Sequence, residues 1–509
     1  MNIIFRRWFA KCKKRITQRL DKTRDTITFQ PCLTGTNIHY DISDKTHAIT
    51  CGGIGLFHTL AQRVGLIRTL DERLHLLKFH MPYHESDHVL TIAYNALCGG
   101  TCLQDLELRR NDEAFLDALG AHRIPDPTTA GDFCRRFTRG RIETLIDAIN
   151  DTRRRVWAEQ PDSFFDCAHI DMDGTLVETT GACKQGMDIS YNGIWGYHPL
   201  IVTLANTAEV LSIVNRSGNR PSHEDAAREV DRSLLLCLQA GFRKVLLRGD
   251  TDFSQTEHLD GWNALSKVRF LFGYDARPNV VGLAEDLPES AWQRLERPAR
   301  YAIQTQSRQR PVNVKDRIVR EREFETLRVN SEEVAEFEYR PGACRESYRM
   351  VVIRKNITKT KGEKALIDDI RYFFYITNER EWSVSEVVFS ANDRGNQENV
   401  IAQLKGGVRA LHAPLSTLES NWAYMVMTAL AWNLKAWWAL TLPEAPGRWQ
   451  EHHREQKQWA LCLEFRTFRN VFVLLPCQIL KTGRQVVYRL LNWNRHLPIF
   501  FRLVGKRNC

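Results

Sequence analysis

Acidic residues lie at three places where predicted strands or helices end. Asp171 and Asp173 are two residues apart on a predicted strand, so their side chains project from one face. Asp250 follows the apolar run VLLRG, and Glu398 lies on a later predicted helix. If the fold brings these carboxylates together, a cation must offset their repulsion, and hard divalent ions prefer oxygen ligands. The pattern predicts a divalent metal site, whereas any one Asp taken alone is more often a cap or turn residue.

The ions expected at such a site are Mg²⁺ or Mn²⁺, as a pair. Two ions about 3.5–4 Å apart can activate a water or a 3′-hydroxyl and stabilise the leaving oxygen in a displacement at phosphorus. This is the chemistry of nucleases and of DNA strand transfer. A polynucleotide is therefore the substrate that the acids predict.

The stretch SANDRGNQENVIAQLKGG places two cations around Glu398. Arg394, Glu398 and Lys405 recur at offsets of four and seven residues, and at about 100° per helical residue they fall within roughly 40° of one another. Arg394 and Glu398 could form an ordinary i,i+4 pair, worth a few tenths of a kcal/mol. Beside a metal site, the same two cations would engage the phosphates of a nucleic acid.

The elements that must position these residues predict an α/β fold. The segment AHIDMDGTLVET reads as a strand, 199–215 as a β-hairpin, 222–240 as a helix, and KVLLRGD and VRFLFGYDA as two further strands. The first three strands are predicted to be antiparallel. This order predicts an RNase H-like core, with a mixed sheet and flanking helices.

Composition changes along the chain divide it into six predicted regions. They are a basic N-terminal arm (1–52), an all-helical DNA-binding or assembly region (53–160), the first part of the core (161–276), a mostly β insertion before the catalytic Glu (277–368), the second part of the core with its catalytic helix (369–440) and a basic helical C-terminal tail (441–509). The Trp-rich run near residue 430 is predicted to pack in a core, because its spacing is nearly helical.

Positive charge is concentrated at the two ends of the chain. Residues 1–24 carry nine basic residues and one acid, and 451–509 carry eleven and three, so each end has a net charge of +8 in a chain of +10. Basic ends on an acidic centre predict a polyanionic partner, with nucleic acid the first candidate and an anionic membrane surface the second. Solvated tails that bind nothing specific are the alternative. The cysteines are scattered singly, which favours a reduced protein in the cytoplasm.

A Gly-rich segment after the first acids mixes basic and aromatic residues. It contains Lys184, Tyr191, Tyr197 and His198. Such a segment beside a metal site could hold phosphates and stack on an exposed base, which predicts that these residues bind DNA. An equally good interpretation is a lead-in to the hairpin with packed aromatic side chains.

Four motifs resemble those of bacterial insertion-sequence transposases of the DDE type, most closely the family numbered thirteen-eighty. They are DMDGT (171–175), KQGMDISYNGIWGYHPL (184–200), LLRGDTDFS (246–254) and RGNQENVIAQLK (394–405). The signature of this family on the last catalytic helix is Tyr, two residues, Arg, three residues, Glu, six residues, Lys. Arg394, Glu398 and Lys405 fit it, whereas Ala391 stands at the Tyr position.

The resemblance assigns roles to individual residues. It implies that the catalytic, metal-binding acids are Asp173, Asp250 and Glu398, with Asp171 as the second choice for Asp173. It also implies DNA contacts from Arg394 and Lys405. Trp292 is a candidate for an aromatic wedge that receives a flipped base.

The same resemblance implies a reaction and partners. The expected function is cut-and-paste transposition, with cleavage at transposon ends and strand transfer into target DNA. Expected partners are the terminal inverted repeats, target DNA and a second copy of the chain in a synaptic dimer. A bacterial, nucleoid-associated protein is expected, with Mg²⁺ or Mn²⁺, no membrane and no small-molecule cofactor.

Two rival functions remain open on the sequence. HIDMDGTLVET also matches the first motif of haloacid-dehalogenase phosphatases, in which Asp171 would be the nucleophile and Asp173 the acid/base. That fold has a parallel sheet, whereas antiparallel strands are predicted here. A transposase-derived DNA-binding protein with impaired catalysis is the other alternative, because Ala391 replaces the Tyr.

Overall fold

A computed structural model describes residues 10, 11, 13–15, 17, 18, 46–181, 183–297, 325–361, 364–482 and 485–505. Most of the predicted basic arm (1–52), residues 298–324 of the predicted insertion, and Lys506 and Arg507 of the tail lie outside these residues. The chain divides into two compact units. They are Met1–Glu159 with Gln403–Cys509, and Gln160–Ala402.

The N-terminal part of the first unit is mainly helical, because its apolar residues recur at helical spacing. Its elements are β1 (Ala48–Ile49), α1 (Ile54–Arg63), α2 (Leu66–Arg73), α3 (Glu85–Leu97), α4 (Leu106–Arg110), α5 (Glu113–Leu119), α6 (Pro127–Arg135) and α7 (Arg139–Trp157). Side chains fix where two of these helices begin. Asp112 accepts a hydrogen bond from the Phe115 amide at α5, and Asp126 accepts one from the Thr129 amide at α6.

The second unit is built on a mixed sheet of nine strands. Its strands are β2 (Cys167–Gly174), β6 (Leu200–Leu204), β7 (Glu209–Val214), β8 (Lys244–Gly249), β9 (Val268–Tyr274), β10 (Gln293–Arg294), β11 (Glu325–Tyr339), β12 (Tyr348–Lys361) and β13 (Lys364–Thr377). A small sheet of β3 (Val177–Glu178), β4 (Asp188–Ile189) and β5 (Trp195–Tyr197) lies between β2 and β6 in sequence. The α/β class and the mixed sheet predicted from the sequence are confirmed.

The strand order is β10-β11-β12-β13-β9-β8-β2-β6-β7. Strands β2, β6 and β7 are antiparallel neighbours, whereas β8 runs parallel to both β2 and β9. The hairpin predicted over 199–215 is therefore present as β6 and β7. Strand β13 continues from the insertion into the pairing with β9, so the boundary predicted between 368 and 369 falls within one continuous strand.

Five α-helices lie in the described part of the second unit. They are α8 (Ala226–Ala240), α9 (Thr256–Asn263), α10 (Pro278–Glu285), α11 (Val384–Asp393) and α12 (Gly395–Ala402). Helix α8 begins four residues after the predicted start at Ser222 and packs on β2 and β8. Helix α11 begins with a capping box of Ser383 and Glu386, and its Val387 and Val388 pack on a buried cluster with Leu246.

The stretch from Ser390 to Gly407 is not the single helix that the sequence predicts. Helix α11 ends at Asp393, α12 begins at Gly395, and residues Gln403–Gly407 form a π-helical turn. Gly395 lowers the helical propensity at the break, and a π turn has a different rotation per residue from an α-helix. The uniform rotation of about 100° per residue from which the alignment of Arg394, Glu398 and Lys405 was predicted therefore does not run unbroken through this stretch.

The C-terminal part of the first unit contains α13 (Leu418–Leu440), α14 (Gln450–Cys462), α15 (Phe465–Phe468), β14 (Cys477–Thr482), β15 (Gln485–Leu490) and α16 (Leu497–Gly505). Helix α13 is buried from Ser420 to Leu440 and packs against α3, α6, α7 and α14. Its tryptophans are core residues, as predicted. The tail is not wholly helical, because β14 and β15 form a sheet with β1. Among the described helices, none has the length and apolar character that crossing a membrane requires.

Candidate active site

The parallel pairing of β2 and β8 brings two acids to one edge of the sheet. Asp173 lies near the carboxyl end of β2 and pairs in register with Ile201 of β6. Asp250 directly follows β8 and begins a short 3₁₀ turn, accepting a hydrogen bond from the Asp252 amide. Because the carboxyl ends of parallel strands meet at the same edge of a sheet, Asp173 and Asp250 both lie at that edge.

Arg394 lies between these two carboxylates at the break between α11 and α12. Its guanidinium is 3.6 Å from Asp173 Oδ2 and 4.0 Å from Asp250 Oδ2. The side chains of Asp173 and Arg394 are 19% and 17% exposed, so solvent screens this interaction only in part. Arg394 Nη1 is nevertheless buried without a hydrogen-bond partner among the described residues.

The electrostatics of the edge disfavour two ionised acids. Burial raises the pKa of Asp173 to about 6; Arg394 opposes this shift, and Asp250 and Glu398 add to it. Burial also raises the pKa of Asp250, again against Arg394, with Asp252 adding to the shift. The three predicted acids are thus close enough for Glu398 and Asp250 to influence Asp173. A cation at this edge would relieve their repulsion.

A groove of about 470 Å³ opens beside the carboxylates. Its walls include Asp250, Tyr274, Tyr375, Ala391, Arg394 and Glu398. One wall is aromatic and comes from β9 and β13, whereas the other is charged and comes from the end of β8 and from α12. The groove therefore combines acids, a cation and aromatic rings in one place.

Asp171 has a different environment from Asp173. It is only 1% exposed, and Arg248 Nε and Nη2 donate to its two carboxylate oxygens at 2.6 and 2.8 Å. Arg248 Nη1 also donates to the Ser390 carbonyl at 3.0 Å. This buried pair joins β2, β8 and α11, and it leaves Asp171 without access to the groove.

Gln397 attaches α12 to the sheet. Its Nε2 donates to the carbonyls of Asp171 and Ile201 at 3.1 and 3.0 Å, and the side chain is buried. The next residue, Glu398, is exposed. Gln397 thereby fixes the start of the helix that carries the third predicted acid.

The carboxylates fit a hard divalent ion by their chemistry. In the part of the chain that the structure describes, no group of three or more His, Cys, Asp and Glu side chains is arranged to hold a metal ion. The positive group facing Asp173 and Asp250 is the guanidinium of Arg394. Ion binding at this edge would therefore require Arg394 to share or yield the carboxylates.

The predicted DNA-binding residues of the Gly-rich segment fall into two groups. Tyr191 is 87% exposed, and Lys184 donates to Thr179 Oγ1 at 2.6 Å while burial lowers its pKa. Tyr197 is fully buried and donates to the Gln185 carbonyl at 2.8 Å. His198 is 5% exposed, with Nδ1 2.9 Å from the Arg220 carbonyl. For these last two residues, burial favours the packing interpretation.

The other two predicted DNA contacts are Trp292 and Lys405. The Trp292 ring lies under the Arg354 guanidinium, 4.3 Å from its centroid, and beside Tyr372 at 6.3 Å. Lys405 is exposed in the π turn and belongs to the other unit of the chain. Sequence reasoning did not single out Arg248, Gln397 or Tyr375. An Arg inside the apolar run VLLRG was a signal for a buried charge pair, whereas nothing local marked Tyr375.

Comparison with known proteins identifies the class. The model of the family described as transposase DDE domain group 1 matches residues 35–455. The chain belongs to this family and is a transposase, an enzyme of the nuclease and strand-transferase type. No curated protein matches it. It is similar to a solved structure described as the piggyBac transposase synaptic complex with hairpin DNA, at 11% identity, a TM-score of 0.36, and 84% and 83% coverage of this chain and that chain.

The phosphatase alternative is not favoured. In that reading Asp171 would attack phosphorus, but it is buried and held by both nitrogens of the Arg248 fork. The strand that follows in the sheet, β6, is antiparallel to β2 rather than parallel. Both observations disagree with a doubly wound phosphatase.

Proposed function

We propose that this transposase cleaves DNA at the ends of a mobile element and joins the new 3′-hydroxyls to target DNA. Asp173, Asp250 and Glu398 would hold divalent ions, and Mg²⁺ or Mn²⁺ as a pair suits their oxygen donors. The observation that carries the proposal is geometric. The parallel pairing of β2 with β8 brings Asp173 and Asp250 to one edge of the sheet, where the Arg394 guanidinium is 3.6 and 4.0 Å from their carboxylates and Glu398 lines the groove with Asp250.

The residues of the groove have distinct roles in this proposal. When bound, divalent ions would activate the attacking oxygen and stabilise the leaving one. Arg394 and Lys405 would bind phosphates of the DNA near the scissile bond, Arg394 once the acids are occupied. Lys184 and Tyr191 would contact DNA from the small sheet, while Tyr197 and His198 would support that segment.

Finer assignments belong to the same proposal. The strand order β7-β6-β2-β8-β9, with two antiparallel and two parallel pairings, supports an RNase H-like core. The motifs from Asp171 to Lys405 support the thirteen-eighty family. We also propose the six sequence regions as functional divisions, a synaptic dimer on two ends and a place in the bacterial cytoplasm.

The test is metal-dependent cleavage of the element's own ends. Purified protein is incubated with Mg²⁺ and a duplex carrying the terminal inverted repeats found beside the coding region. Asp173→Asn, Asp250→Asn and Glu398→Gln should each reduce cleavage by roughly a thousandfold or more, because each removes a charged ion ligand. Asp252→Asn, an exposed neighbour of Asp250, is the matched control and should cut at the wild-type rate.

Two results would separate the alternatives. An Asp250→Asn variant that cuts as well as wild type would overturn the assignment of the acids. A wild-type protein that binds the repeats but cuts in neither Mg²⁺ nor Mn²⁺ would instead support the catalytically impaired DNA-binding protein.

A further inference from the structure

At one point of its wall the groove has a small apolar side chain. Ala391 lies near the end of α11, three residues before Arg394, and lines the groove with Arg394 and Glu398. A methyl group offers no hydrogen bond to a ligand. Any polar contact at this part of the groove must therefore come from another element.

Tyr375 reaches this position from β13. It lines the same groove as Ala391, and both side chains pack against the buried cluster that includes Leu246 and Val387. The charge of Arg394 acts on its hydroxyl. A tyrosine from the strand thus lies beside the alanine of the helix.

The Tyr375 hydroxyl is available as a donor. Burial raises its pKa against the effects of Arg297 and Arg394, so it keeps its proton at neutral pH. No described residue forms a hydrogen bond with it. Arg297 is already held by Glu332 through two hydrogen bonds of 2.5 and 2.9 Å. Arg394 Nη1, in contrast, is buried and has no hydrogen-bond partner among the described residues, although Asp173 Oδ2 lies 3.6 Å away as an ion-pair partner. Within the described part of the chain, two donors without hydrogen-bond acceptors therefore line one groove.

We propose that Tyr375 and Arg394 together bind one phosphate of the DNA backbone, with Tyr375 supplying the hydroxyl contact that residue 391 cannot make. This inference rests on the proposed function and adds a DNA-contacting residue to it. A phosphate has several acceptor oxygens, which matches a guanidinium and a phenol that line one groove. A phosphate would offer Arg394 direct hydrogen bonds, whereas the carboxylate oxygens of Asp173 and Asp250 are 3.6 and 4.0 Å from its guanidinium.

The first test removes only the hydroxyl. Tyr375→Phe should weaken equilibrium binding of the end duplex and slow its single-turnover cleavage, by roughly 10- to 100-fold in the combined effect. Tyr339→Phe is the matched control, because Tyr339 lies in the same sheet and accepts its hydrogen bond from Asn279 rather than facing Arg394. It should bind and cut as wild type does.

A second test moves the phenol between elements. Tyr375→Ala should lose binding and cleavage. The exchange variant Tyr375→Ala/Ala391→Tyr should bind and cut DNA at least tenfold better than Tyr375→Ala. A merely structural Tyr375 would not be rescued in this way. Thermal unfolding of each variant shows whether lost activity follows lost folding.

The outcomes distinguish this inference from the proposed function. Tyr375→Phe binding the duplex with wild-type affinity would overturn the inference, whether or not the protein cuts DNA. Wild-type cleavage by Tyr375→Phe beside an inactive Asp250→Asn would overturn it and leave the proposed function standing. Single backbone phosphates of the duplex can be replaced by neutral methylphosphonates. At one position the replacement should weaken binding of the wild-type protein, and Tyr375→Phe should cause no further loss of affinity for that duplex.

Discussion

Asp171 and Asp173 are two residues apart on one strand and have opposite environments. Asp171 is 1% exposed, and Arg248 donates to both of its oxygens. Asp173 lies near the carboxyl end of β2, and its Oδ2 is 3.6 Å from the guanidinium of Arg394. Burial raises the pKa of both acids, but Asp171 accepts two hydrogen bonds from a buried arginine, whereas Asp173 has a longer ion pair with Arg394. The difference shows that depth beneath the covering helices, rather than the face of the strand, separates the two roles.

The same contrast holds for the cations. Arg248 is buried and has its hydrogen bonds completed by Asp171 and the Ser390 carbonyl. Arg394 lies between the carboxylates of Asp173 and Asp250, and its Nη1 has no hydrogen-bond partner among the described residues. The hydrogen-bonded pair of Asp171 and Arg248 holds β2, β8 and α11 together. Arg394, whose hydrogen bonds are incomplete, lines the groove.

The largest effect on stability is expected from breaking the buried pair. Asp171→Asn leaves the Arg248 charge buried without a counterion, which should lower the free energy of unfolding by about 3–5 kcal/mol. Urea denaturation at neutral pH measures the loss.

The control for this prediction removes both charges. Asp171→Leu/Arg248→Met replaces the pair by apolar groups of similar volume and should be much closer to wild type in stability than Asp171→Asn. If Asp171→Asn were as stable as wild type, the structural role that separates Asp171 from Asp173 would be contradicted.

The elements around the acids were predictable because their patterns are local. The hairpin of β6 and β7 and the strands β8 and β9 appear where apolar runs and turn residues indicated them. The break at Gly395 was missed because helical spacing continues in sequence across it. Strand β14 was missed together with its neighbour in sequence, β15; the partner of β14 on its other side is β1, more than 400 positions away in the chain.

The site was predictable in residue type but not in pairing. Sequence reasoning brought Asp173, Asp250 and Glu398 together as candidates, and their catalytic roles remain predictions. It could not separate Asp171 from Asp173 on physical grounds, because both share a face of the strand. The parallel register of β2 with β8, which pairs Asp171 with Arg248, is a long-range property that the local pattern does not contain.

The second largest effect on the free energy of unfolding is expected at Asp173, where a substitution should raise stability rather than lower it. The pKa of Asp173 is about 6 in the folded chain and about 3.9 when unfolded, so the ionised form destabilises the fold by about 2–3 kcal/mol at neutral pH. Asp173→Asn should therefore stabilise the metal-free protein while abolishing cleavage. Urea unfolding in a chelator measures the gain.

The pH dependence checks the cause. Because the folded pKa is the higher one, the unfolded chain releases the proton first, so this contribution to stability falls as pH rises from about 4 to about 6. The gain from Asp173→Asn should be small at pH 4 and full at pH 7. A gain that did not change with pH would show that burial of the charge is not its origin.

The smallest effect is expected at Gln397, which connects the scaffold to the groove. Gln397→Met removes the hydrogen bonds from Nε2 to the Asp171 and Ile201 carbonyls and should cost about 1–2 kcal/mol. Since this side chain fixes α12, cleavage should fall by about tenfold or more through misplacement of Glu398. Gln397→Glu keeps the length but buries a carboxyl group against the same two carbonyls, so it should cost at least as much stability as Gln397→Met. If either variant lost stability yet cut DNA at the wild-type rate, then Glu398 would be positioned by the rest of α12, and the scaffold and groove would be less coupled than these contacts indicate.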